Sequence, residues 1–122
     1  MYLGEDSASV PEITTMTDWL QRTHPGAPVN LFVVEAFSAG LLFQTAMSEA
    51  GPDPTQTGLA AAIRGVDSFD ADGLITQTDP GNKVPPVCNL IAGVRDAKFI
   101  RIDPPTTGFE CNGTFHPYSA SS

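Results

Sequence analysis

The chain has 122 residues and a mass of 12.9 kDa, enough for one domain with a modest core and too little for two. Fourteen acidic against six basic residues give a formal charge of −8 and a pI near 4.3 without any basic run, which argues against a nucleic-acid backbone or an anionic membrane surface as partner. No apolar run reaches the roughly 20 residues of a membrane span, so a soluble chain is expected.

The opening "MYLGEDSASVPE" is acidic and polar, unlike an export signal with its basic start and apolar core. Residues 1–13 read as an N-terminal arm, with Pro11 restricting Val10 near its end. From Thr14 onward Met16, Trp19 and Leu20 fall at i, i+3 and i+4, the spacing of one helical face, and His24-Pro25-Gly26 stops that short helix.

"VNLFVVEAFSAGLLFQTAMSEAG" carries the strongest signal. Asn30 is a good N-cap, Gly51 a good stop, and Pro52 and Pro54 prevent continuation. Phe37, Leu41 and Leu42 share one face, and Ala39, Phe43, Ala46 and Met47 widen it, so a helix packed on more than one side is expected. A third helix is predicted in "DPTQTGLAAAIRGVDSF", capped by Thr55 or Asp53, stopped near Gly65, and apolar at Leu59, Ala62, Ile63 and Val66. "SFDADGLITQTDPGNKVPP" is rich in turn residues and reads as a loop. Alternation at Cys88, Leu90, Ala92 and Val94, resumed by Phe99 to Ile102, predicts a β-hairpin around Arg95 to Lys98, ended by Asp103-Pro104-Pro105. The expected architecture is α+β, about three helices followed by a C-terminal antiparallel hairpin, with a single domain over residues 14–118 and a disordered tail at 119–122.

The only two cysteines flank this hairpin, whose returning strands bring Cys88 and Cys111 near each other. A bridge between them is expected in preference to two separate buried thiols, and with it an extracytoplasmic location, although the chain as written shows no signal peptide. Metal ligation by two cysteines without a C-x-x-C pair is a weak alternative. Ser68 to Asp79 partly matches a calcium loop, with Asp70, Asp72, Gly73 and Asp79 in register. Its first position is serine, its last lacks the reach of glutamate, and Pro80 forbids an exit helix, so an Asx-rich turn is the favoured reading. His24 and His116 are each followed by proline and lie far apart, and no serine or cysteine sits in a nucleophile context. Glu35 suits the positive end of the long helix, or a buried pair with Arg64 or Arg95. Asn112-Gly113-Thr114 has the form of a glycosylation sequon and reads as a surface turn. With no constellation of acid, base and nucleophile, binding without chemistry and without a cofactor is expected.

The segment "VVEAFSAGLLFQTAMSEAGPDPTQTGLAAAIRGVDSFDADGL", followed by "VRDAKF", resembles the C-terminal part of type 1 periplasmic-binding proteins, the leucine/isoleucine/valine-receptor relatives that feed ABC transporters. The resemblance covers residues 14–103. It implies recognition of an amino acid or similar small polar solute, with a transporter permease as partner. In that family the aromatic opening the long helix borders the ligand cleft, which corresponds here to Phe37 with Ser38 beside it; core packing is the competing reading of Phe37. The chain departs from the family in lacking the two large α/β lobes and their parallel strands. A piece of such a receptor leaves apolar helix faces uncovered, from which self-association is expected. The rival reading is a small exported interaction module whose apolar helix docks onto a partner chain.

Overall fold

Caps set the helices of the first half. In the computed structural model, which describes residues 4–114, a 3₁₀ helix at Gly4–Ala8 leads into α1, Pro11–Thr23. Pro11 occupies the first helical position, where no N–H is needed. In α2, Leu31–Ala50, the Asn30 side chain accepts the Val33 N–H at 3.1 Å, and Gly51 ends the helix at φ 83°. In α3, Gln56–Arg64, the Thr55 hydroxyl accepts the Gly58 N–H at 3.0 Å, and Gly65 follows as C-cap. Each such N-cap is worth about 1 kcal/mol.

The core forms where α1, α2 and the loop after α3 meet. Ile13, Met16, Val34, Ala71 and Leu74 are its buried members, with Phe37, Leu41 and Phe69 among the half-buried side chains packed on them. Two of the five therefore come from a stretch whose composition reads as a plain loop. Ala71, Asp72 and Gly73 all take left-handed backbone, at φ 53°, 55° and 85°, a tight turn within which Ala71 and Leu74 are buried. Phe69 and Thr78 exchange both backbone hydrogen bonds, at 3.0 and 2.8 Å, which closes this loop at its base. Gly81 then lies so close to the Arg64 and Val66 carbonyls, at the end of α3, that a Cβ has no room there.

The chain ends in an antiparallel pair, β1 (Ile91–Arg95) and β2 (Lys98–Asp103), with Arg95 opposite Lys98 and Ala92 opposite Arg101. Asp96 and Ala97 form the connection, both at positive φ, 51° and 60°, the handedness that matches strand twist in a two-residue hairpin. Three helices followed by a C-terminal two-stranded antiparallel sheet make this the expected α+β architecture.

Four expectations need correction. Residues 4–13 are not a loose arm: α1 begins at Pro11, Ile13 is a core residue, and Asp6 is buried against Arg101. Trp19, placed on the packed face of α1, is 54% exposed, because the core is met by Ile13 and Met16 instead. Finally, α2 is 20 residues long with a mean hydropathy of 1.4, long and apolar enough by length and composition to cross a membrane. No unbroken apolar run reveals it because Glu35, Ser38, Gln44, Thr45, Ser48 and Glu49 interrupt the sequence while its mean hydropathy stays high. Nor is α2 enclosed on several sides, since only Val34, Ser38 and Ala46 are buried along it. The expected tail at 119–122 and His116 lie outside the described residues.

Candidate functional site

Phe37 sits on the side of α2 that faces α1. It packs on the core and also lines a cleft of about 510 Å³ between the two helices. Glu12, Thr15 and Trp19 of α1 line the same cleft, together with Gln44 of α2 and Asp72 from the left-handed turn. Glu12, Thr15 and Trp19 are spaced i, i+3 and i+7, which stacks them on one face of α1 and explains how a single helix supplies a carboxylate, a hydroxyl and an aromatic wall. Phe37 is thus a packing residue with one side turned to open space.

Ser38 has a different fate. About 100° further round α2, it is buried at 6% exposure, lies outside the Phe37 cleft, and its hydroxyl has no hydrogen-bond partner among the described residues. The structure thus separates the two residues that the resemblance placed side by side. Sequence reasoning missed Glu12, Gln44 and Asp72. The spacing on α1 was the available signal, whereas Asp72 reaches the cleft only through the tertiary path of its loop.

Chemically, the cleft offers two carboxylates, an amide and a hydroxyl between two aromatic rings. Such a lining can orient a small polar molecule, and its two carboxylates favour a ligand that carries an ammonium group. The nearest histidine in sequence, His24, is exposed and meets the Thr23 hydroxyl through Nδ1 at 3.1 Å. Glu35 is exposed and forms no ion pair among the described residues.

The acids of the calcium-like stretch do not converge. Among the described residues, no group of three or more histidine, cysteine, aspartate and glutamate side chains is placed to hold a metal ion. Asp79 instead accepts the Asn82 backbone N–H and its side-chain amide, each at 2.9 Å, an Asx turn.

Cys88 and Cys111 are bonded, and strand geometry explains why they meet. Asn89 and Glu110 exchange both backbone hydrogen bonds, each at 2.9 Å. The next pair outward is then a close, non-hydrogen-bonded pair, and the two cysteine Cα atoms stand 4.0 Å apart. A second fastening lies on β2. The Arg101 guanidinium pairs with Asp6 and donates to the Gly108 carbonyl at 2.6 Å, while the Arg101 backbone N–H donates to Glu5 Oε1 at 2.9 Å. No family model, curated protein or solved structure matches the chain.

Proposed function

We propose that the chain recognises a small polar solute, an amino acid or similar molecule, as an extracytoplasmic binding domain serving ABC-type uptake or sensing, and that it binds without converting its ligand. The observation that carries this reading is the cleft beside Phe37, where aromatic walls and hydrogen-bonding side chains share one concave site. The Cys88–Cys111 bond is compatible with an extracellular location, and the likeness of residues 14–103 to type 1 binding proteins points the same way.

A thermal-shift panel of amino acids, small amides and short-chain acids under non-reducing conditions tests it. Ligand at a hundred times its dissociation constant adds about 2.7 kcal/mol, so even a weak solute registers. One polar class raises the melting temperature, and Phe37→Ala and Glu12→Gln remove that rise. Because Phe37 also packs the core, the variant at Glu12, half-buried but outside the core cluster, is the decisive one. Silence across the panel, or a shift that ignores Glu12, overturns the reading.

A second reading is favoured by one specific observation. Phe32 and Phe43 of α2 are 77% and 53% exposed, an apolar face suited to a partner chain. A stable complex with another protein that is indifferent to solutes and abolished by Phe32→Ser and Phe43→Ser supports this docking role.

A further inference from the structure

A cavity of about 810 Å³ lies between the start of α2 and the tip of the hairpin, clear of Phe37. Leu31 and Val34 of α2 and Phe99 and Ile100 of β2 make its walls apolar, and among the described residues Glu5 and Lys98 are its only charged lining. The two charges are not equivalent. Glu5 accepts the Arg101 N–H at 2.9 Å and stands 3.8 Å from the Arg101 guanidinium Nε, so its charge is already matched. Lys98 forms no ion pair among the described residues.

We infer that this cavity binds a monoanionic amphiphile, an aliphatic or aryl carboxylate of medium chain length. Its apolar body lies between Leu31, Val34 and Phe99, and its carboxylate meets the Lys98 ammonium. The volume falls within the roughly 300 to 1,000 Å³ of small-molecule sites. Leu31 and Phe99 are 56% and 68% exposed, so apolar surface waits to be covered at this position. The charge pattern selects among occupants: Lys98 repels an amine, a second anionic group finds no second cation among the described lining residues, and a neutral chain of the same length forgoes the ion pair. The site shares none of its lining with the Phe37 cleft, so this inference stands apart from the solute reading.

Calorimetric titration of the oxidised full chain with octanoate, octanol and octylamine at low ionic strength tests it. Octanoate binds at least about threefold more tightly than octanol, the factor expected of one partly exposed ion pair, and octylamine binds weakest. Lys98→Met, at an exposed position at the start of β2 that tolerates the change, brings octanoate and octanol to equal affinity while octanol binding persists. Phe99→Ala weakens both. Equal affinities in the unaltered chain, or an octanoate preference that survives Lys98→Met, overturns the proposal. So does the absence of any binding, and self-association seen by sedimentation in that case identifies the surface as an interface between copies.

Discussion

Between residues 10 and 75 the chain is held by burial: Met16 is 1% exposed, and Ile13, Val34, Ala71 and Leu74 close around it. Between residues 87 and 113 no side chain joins that cluster, and Ile91, Val94, Phe99 and Ile102 are each more than half exposed. The hairpin is fastened instead at points: a disulfide at its base, a guanidinium on β2, and Gly113 pressed against the Val87 carbonyl. The difference shows how a small acidic chain keeps an apolar hairpin in place without a core under it. A core spreads its energy over many weak contacts and loses it gradually. Point fastenings concentrate theirs, so one substitution releases most of it.

The sharpest way to break this contrast is Arg101→Ala. It leaves the Asp6 carboxylate buried without its cation and the Gly108 carbonyl without its donor, and a loss of about 4 kcal/mol is expected from denaturant unfolding. A loss below about 1 kcal/mol would place the hairpin's hold elsewhere, since that is the worth of an exposed pair. Replacing both cysteines by serine comes next, at about 3 kcal/mol from the loop entropy restored to the unfolded chain. Hydrogen exchange distinguishes the two regions here: amides from 87 to 113 lose protection while those of α1 and α2 keep theirs. Uniform loss would mean that core and hairpin open as one cooperative unit. The smallest effect is a gain. Ala97 holds φ 60° at the hairpin turn, so Ala97→Gly relieves a left-handed alanine and raises stability by about 0.5 to 1 kcal/mol, read as a higher melting temperature.

What could be read from the sequence follows the same division between local and distant causes. Asn30, Gly51, Thr55 and Gly65 act within a few residues of themselves, and all of them mark helix ends as expected. The hairpin was legible from alternation and the turn at Asp96-Ala97, and the disulfide from the pairing that follows. The anchoring of residues 4–13 was not, because Asp6 and Arg101 are 95 positions apart and neither carries a local pattern. Nor was the core role of Ala71 and Leu74, since turn-forming neighbours mask two buried side chains inside a left-handed run. At the candidate site, Phe37 was singled out in advance. Its polar company was not, because Glu12, Gln44 and Asp72 come together only when two helices and a loop have packed.

Glu5 has one further effect on how copies of this chain can meet. In the hairpin register the N–H groups of Phe99 and Arg101 point away from β1, and the carboxylate of Glu5 occupies the second of them. The β2 rim is thereby capped at one of these two N–H groups by Glu5, while among the described residues no backbone hydrogen bond from outside the hairpin reaches β1. A second strand therefore meets competition from Glu5 along β2 but none along β1, so the β1 rim is the edge better suited to strand pairing.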